Sequence, residues 1–343
     1  MTRSRTLLFF FAAILSSCLL TLSATTKLSK APIDPPPLGA SRRTPKLSFV
    51  IAGFPKAGTT SLLYAFNRHS QTVIPSREVC AVSSKHGFSK VEKALEDAFA
   101  DVPAAPSNGT RAGVKCPQTI SSPLGLQHLV EQNPGLKLIV GLRHPVRILE
   151  SYYNYRVTSL HDKGIAFEAP PVESLIGVDN SWKGVSTDSP RYELGLQQLG
   201  KVRLSKHQRK TLKSKHRTVA PVPFHVFLYA MEQIGDHDEE RLAKFGEDMQ
   251  SFLGLTEPIV FTHENKNHFV GARKHPETID ICEPRYDDLR SVLLSQGNAT
   301  QGWIKENFLK SPDVFVGGSE HHFNELLSTW ARDPCTHSPL KQY

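Results

Sequence analysis

The chain has few of the short signatures that mark hydrolases and metalloenzymes. It has no G-x-S-x-G segment, so the nucleophile elbow of an α/β-hydrolase has nowhere to form. The nearest approach to a zinc-protease helix is His263-Glu264-Asn265-Lys266-Asn267-His268. Its histidines stand five apart rather than four and cannot share one helix face. His321 and His322 are adjacent and would point apart on a helix, and most of the 15 histidines read as surface or core residues. No internal repeat is present, which excludes a solenoid. Acidic residues are missing from Lys201 to Arg217, a run with eight Lys or Arg. That run reads as a solvated surface insertion or as a rim for a sulfated or carboxylated polymer. Nucleic-acid binding would rest on it alone, so no nucleic-acid partner is expected. The net charge of +8 and pI near 9.2 suit an anionic ligand, though they also serve solubility.

The informative stretch runs from Leu47 to Leu62, L-S-F-V-I-A-G-F-P-K-A-G-T-T-S-L. Leu47, Phe49, Val50 and Ile51 predict a buried parallel strand. A turn bounded by Gly53 and Gly58 follows, and then a helix start through Leu62, Leu63 and Phe66. Strand, glycine loop and helix N-terminus together make an anion cradle, because free N–H groups and the helix dipole both favour negative charge. The loop departs from Walker A, which places Lys after the second Gly. Here Lys56 lies inside the loop and Thr59 follows Gly58. A kinase or ATPase also needs an acid at a nearby strand end to hold its metal. The best later strand, Leu136 to Leu142, runs instead into Arg143-His144-Pro145. A second cationic anchor stands where the acid would be, and this disfavours Mg-ATP.

At these two segments the chain resembles the sulfotransferases that use 3′-phosphoadenosine 5′-phosphosulfate (PAPS). The loop P-K-A-G-T-T-S-L is similar to their 5′-phosphosulfate loop, [PR]-K-[GSA]-G-T-[TRK]-x-L. The segment from Arg143 through Ser151 to Tyr153 is similar to their 3′-phosphate motif, R-x-P-x(5)-S-x-Y, with Arg147 one position earlier than the Arg many members carry. The resemblance implies that Lys56, Ala57, Gly58, Thr59 and Thr60 hold the phosphosulfate and that Arg143 and Ser151 hold the 3′-phosphate. It is nearest to the Golgi heparan sulfate (glucosaminyl-type) enzymes. In those, a Glu early in an E-x-x-F-F segment is the catalytic base, and Glu78 occupies that spacing from Lys56. A carboxylate in a partly desolvated cleft can take the proton that a hydroxyl must lose. The aromatic pair is Ala81-Val82 here, so the acceptor wall differs. Gly113-Val-Lys115-Cys-Pro117 is similar to the family's E-K-[ST]-P segment, which implies that Lys115 contacts the reacting groups. Gly271-Ala-Arg273-Lys274-His275-Pro276 resembles the loop K-G-R-x-H-P that closes over the donor. It lacks the leading Lys and Gly, so closure would lean on Lys274 beside Arg273 and His275. The likeness covers roughly Leu47 to Pro276 and thins beyond.

Residues 1–6 read as a cytosolic tail and 7–24 as an uncharged apolar segment behind Arg3 and Arg5. Such a segment is barely long enough to span, since spanning needs about 17–25 residues. The basic residues before it predict a type II signal anchor. Cleavage near Ala24 is the alternative, with Leu22 a poor fit three residues before the cut. The Pro-rich residues 25–46 read as an extended stem, and 47–343 as the catalytic domain. Both N-terminal readings deliver the chain to the secretory lumen, with the Golgi membrane the expected address. Cys18 lies in the apolar run. Of the remaining four, Cys282 and Cys335 share the C-terminal part and are expected to pair, leaving Cys80 and Cys116 as free thiols beside the site. Asn108 and Asn298 open glycosylation sequons that matter only in a lumenal chain.

Helices are expected over Ser61 to Arg68, from the capping box Ser89-Lys-Val-Glu92, over Ser121 to Gln132, Ile148 to Tyr155 and Glu239 to Leu253, and around Tyr286 to Leu294 and His322 to Trp330. Strands are expected over Thr72 to Ile74 and Pro223 to Tyr229. The fold implied is α/β, a P-loop-like three-layer domain with a central parallel sheet. The activity implied is sulfuryl transfer from PAPS to a carbohydrate acceptor, an anionic polysaccharide in first place, without a metal. A tyrosyl acceptor, or a glycan-binding protein that has lost transfer, is the alternative.

Overall fold

The apolar run after Lys46 forms strand β1 (Leu47–Gly53), with six of its seven residues buried. A strand apolar on both faces belongs inside a parallel sheet covered on both sides. It lies between β3 (Arg111–Lys115) and β4 (Lys137–Leu142), with Ile51 opposite both Lys115 and Ile139. Outside these lie β2 (Thr72–Val73), β5 (His225–Ala230) and β6 (Val314–Val316). The order is β2-β3-β1-β4-β5-β6, and every pairing is parallel.

Helix α1 (Thr59–Arg68) packs Leu62, Leu63 and Phe66 with Phe49, Ile51 and Ile139 on one face of the sheet. Helix α5 (Glu239–Leu253) covers the same face through Leu242, Phe245 and Met249. On the other face, α2 (Phe88–Ala100), α3 (Pro123–Gln132) and α7 (Glu320–Ser328) bury Leu95, Leu129 and Leu327 in one cluster with Val50, Val114 and Leu138. Helices α4 (Pro145–His161) and α6 (Asp287–Trp303) form a third cluster through Leu149, Tyr153, Leu289 and Leu293. The expected three-layer α/β architecture is therefore present. The computed structural model describes residues 46–84, 87–101, 109–133, 135–162, 164, 225–261 and 277–336. The tail, apolar segment and stem, the sequon at Asn108, the basic run and the loop with Arg273, Lys274 and His275 lie outside them. Among the described residues no helix is long and apolar enough to cross a membrane.

Two helix starts differ from the sequence reading. Helix α2 begins at Phe88 with Gly87 in the cap position, whose carbonyl accepts from the Lys90 and Val91 N–H groups. Ser89 therefore lies within the first turn and caps nothing. Helix α4 starts at Pro145, because a proline at the first helical position already has the required φ and no N–H to leave unpaired. Strand β6 is three residues long, too short for alternation to reveal it.

The cysteines bring the main correction. Cys80 and Cys116, expected as free thiols, form a disulfide with Cα atoms 4.9 Å apart. The cause is topological. The Val79 N–H donates to the Lys115 carbonyl at 2.9 Å, which sets Cys80 beside Cys116 although 36 positions separate them. The expected Cys282–Cys335 bridge is present, with Cα atoms 5.3 Å apart. In the chain-entropy account a loop of that length stabilises by about 4 kcal/mol. Replacing Cys282 and Cys335 together with Ser should lower the urea midpoint accordingly. A non-reducing peptide map should recover both pairs, and alkylation of Cys80 in unreduced protein would contradict the first.

Candidate active site

The loop between β1 and α1 is shaped by three backbone features. Gly58 takes φ 78°, a left-handed conformation open to glycine at little cost, and its carbonyl accepts the Leu62 N–H at 3.2 Å. Lys56 is also left-handed, at φ 65°. The loop rests on β4, where the Phe54 N–H donates to the Gly141 carbonyl at 3.0 Å. A Cβ on Gly141 would stand 2.7 Å from the Ala57 carbonyl oxygen, so only glycine lets the loop lie this close. The Tyr229 hydroxyl, fully buried on β5, donates to that same carbonyl at 2.7 Å. Sequence reasoning passed over Tyr229 as one more apolar strand residue.

Three cations converge on this loop. Arg143 donates from Nη1 to the Lys56 carbonyl at 3.2 Å. Lys115, at the end of β3, is 5% exposed; its Nζ donates to Thr60 Oγ1 at 3.0 Å and sits 3.2 Å from Glu78 Oε1. Glu78 is thus paired with the lysine at the neighbouring strand end. Lys56 Nζ lies 4.5 Å from the ring centre of Tyr155, on α4, in a cation–π contact the sequence did not signal. Burial, then Arg143, then Lys115 lower the Lys56 pKa to about 8, and Glu78 only partly opposes them. An ammonium held this way is a ready anion site, because a bound anion relieves both the desolvation and the repulsion.

The Arg143 turn is fixed from behind. His144 is 3% exposed, and burial lowers its pKa to about 4, so it is neutral at physiological pH. Its Nδ1 accepts the Val146 N–H at 3.2 Å, which leaves the proton on Nε2 to be shared with the Thr329 and Arg332 carbonyls, each at 3.2 Å. Next on α4, Arg147 donates to the Pro334 carbonyl at 3.3 Å, and Glu150 accepts the Ile281 N–H at 3.1 Å. The Cys282–Cys335 disulfide joins the two segments that supply these partners. Ser151 is half-buried on the following turn of α4. Glu232, just after β5, was also missed: burial raises its pKa, against the pull of Arg143 and an N–H bond from His144. It places an acid within electrostatic reach of Arg143.

The described residues thus bring Lys56, Ala57, Gly58, Thr59, Thr60, Glu78, Lys115 and Arg143 to the carboxyl ends of β1, β3 and β4, with Ser151 on the helix after β4. This is the switch point of the sheet, where ligands of open parallel sheets bind. A cleft of about 580 Å³ runs separately along the outer edge of β2, from Asn67 past Thr72 to Arg77, and neither Lys56 nor Arg143 lines it. Asn298 is exposed on α6, whereas Thr300 of its sequon is 7% exposed.

No family model and no curated protein matches the chain. Solved structures do. A sulfotransferase from Alicyclobacillus acidocaldarius is 16% identical at a TM-score of 0.46, over 77% of this chain and 98% of its own. The sulfotransferase domain of the curacin biosynthetic pathway is 14% identical at 0.31, over 67% and 81%. That of the Synechococcus PCC 7002 olefin synthase is 14% identical at 0.33, over 85% and 97%. These three solved structures are sulfotransferases, and likeness this remote fixes neither an acceptor nor an activity for the chain.

The charge state of Lys56 can be tested directly. Below pH 8 the ammonium is protonated and attracts anions, and above it the attraction is lost. Affinity for 3′-phosphoadenosine 5′-phosphate should therefore fall as pH rises from 7 to 9.5, with proton uptake on binding near pH 8 in calorimetry across buffers. Lys56→Met should weaken binding and flatten that dependence. A wild-type affinity constant over the range would contradict this assignment.

Proposed function

We propose that the chain is a PAPS-dependent sulfotransferase that sulfates a hydroxyl or amine of a carbohydrate, with its catalytic domain in the Golgi lumen behind an N-terminal anchor. The observation that carries this reading is the convergence of Lys56, Lys115 and Arg143 at one switch point, with Glu78 set against Lys115 at 3.2 Å. Fixed cations here take the place of the Mg²⁺-holding acid of a kinase, and a carboxylate stands ready for a proton. Each of those three cations lies in a segment that resembles a sulfotransferase motif in the sequence. The excess of basic residues suits an anionic polysaccharide as acceptor.

In the transfer the acceptor oxygen forms a bond to sulfur while the bond from sulfur to the phosphate oxygen breaks on the opposite side. Glu78 takes the acceptor proton, a role worth about 10²–10⁴-fold in rate. Lys56 neutralises the charge that grows on the leaving phosphate oxygen, helped by the N–H groups of Gly58 to Thr60 at the start of α1. Lys115, held by Thr60 and Glu78, orients the sulfuryl group or the acceptor. Arg143 and Ser151 hold the 3′-phosphate. Arg273, Lys274 and His275 are assigned to closure over the donor.

Two measurements test this. In thermal shift, 3′-phosphoadenosine 5′-phosphate should raise the melting temperature well above the effect of ATP with Mg²⁺, and Arg143→Ala should erase that preference. Equal stabilisation by ATP would overturn the donor assignment. With radiolabelled PAPS and a panel of glycans and peptides, Glu78→Gln should keep nucleotide binding and lose at least about 100-fold in turnover. Near wild-type turnover would move the base to another residue, with His69, His86 and His161 the first replacements to examine.

A further inference from the structure

Glu78 ends an exposed stretch, Ser76 to Glu78, between the buried Pro75 and Val79, the latter in the core beside Val114 and Cys116. Residues 74–79, between β2 and the turn Cys80–Ser83, form neither helix nor strand, and the Glu78 side chain is 52% exposed. Three contacts tie this segment to the end of β3: the Val79 N–H bond to the Lys115 carbonyl at 2.9 Å, the Glu78–Lys115 ion pair at 3.2 Å, and the Cys80–Cys116 disulfide. One backbone hydrogen bond and one half-exposed ion pair are weak holds by themselves. The disulfide is the covalent one. Its far end is immobile, since Cys116 is wholly buried and its N–H donates to the Ile51 carbonyl of β1 at 3.0 Å. The turn that follows is tied down again by Ser83, whose hydroxyl donates to Thr119 Oγ1 at 3.1 Å.

We infer that the Cys80–Cys116 disulfide is a positioning device for the transfer centre. It lends the rigidity of the β1–β3 pair to the segment carrying Glu78 and keeps that carboxylate against Lys115. This rests on the assignment of Glu78 as proton acceptor. The bond touches neither donor nor acceptor and acts through Glu78. The candidate contacts to the nucleotide's phosphates come from the β1–α1 loop, the start of α1, the turn after β4 and α4, none of which carries either cysteine. Loss of the bond therefore separates turnover from nucleotide binding, because a base displaced by about 1 Å can cost on the order of 10²-fold.

The test compares Cys80→Ala/Cys116→Ala in the full chain with the same pair placed on Glu78→Gln. The wild-type background should keep its affinity for 3′-phosphoadenosine 5′-phosphate within about twofold, while kcat falls roughly 10- to 100-fold. Deuterium exchange should rise in residues 76–84 and not in 53–60. On Glu78→Gln the same pair should cost less than about threefold, since groups acting as one unit are not additive. Unchanged kcat, a full additional loss on Glu78→Gln, or an equal loss of nucleotide affinity would each overturn the inference. If the double variant fails to fold, Cys80→Ala alone, which keeps the buried Cys116, provides the same comparison. A wild-type chain that binds no nucleotide would overturn the sulfotransferase reading itself, a result distinct from all of these.

Discussion

Burial of β1 between β3 and β4 is the constraint on which the rest depends. A strand apolar on both faces cannot lie at an edge, and a parallel sheet then sends three adjacent strand ends to the same side. The loop with Lys56, the Lys115 terminus and the Arg143 turn leave the sheet there. Their charges meet because their strands do. The registers are tight, with Ile51 opposite both Lys115 and Ile139, so a shift of one residue would turn Lys115 away from Thr60.

Concentrating three cations at one end of the sheet, with Glu78 as the acid paired to Lys115, costs stability in the empty protein. Burial first, and then the charges of Arg143 and Lys115, lower the Lys56 pKa, so part of that cost falls on Lys56. The chain offsets it unevenly. Lys115, almost wholly buried, has both Glu78 and Thr60 as partners. Lys56 has a π-face beneath it and two like charges beside it. The first arrangement holds a lysine still, and the second leaves one ready for an anion.

Two disulfides brace the two halves of the site. Cys282–Cys335 ties together the segments that hold His144, Arg147 and Glu150, and so supports the turn and helix carrying Arg143 and Ser151. Cys80–Cys116 supports the segment carrying Glu78. Between them the loop of β1 needs no covalent brace. It is held by Gly141, by the Tyr229 hydroxyl and by Arg143 itself.

The sequence by itself determined the local units, because each rests on residues near one another in the chain. The apolar run of β1, the loop from Gly53 to Gly58 and the Arg143 turn were legible from pattern. So was α5, whose expected limits match the observed Glu239–Leu253 with Asp238 and Gly254 at its caps. The resemblance to the family's segments also singled out Glu78 and Lys115, though not that they touch. What the tertiary structure alone decided is who meets whom. The Cys80–Cys116 bond, the Tyr229 hydroxyl on Ala57, the Tyr155 ring against Lys56 and the pull of Arg143 on Glu232 all join segments that no periodicity links. Strand order brings β3 beside β1 and β5 beside β4. That order is set by which apolar faces bury one another across the whole sheet, and no single stretch of the chain encodes it.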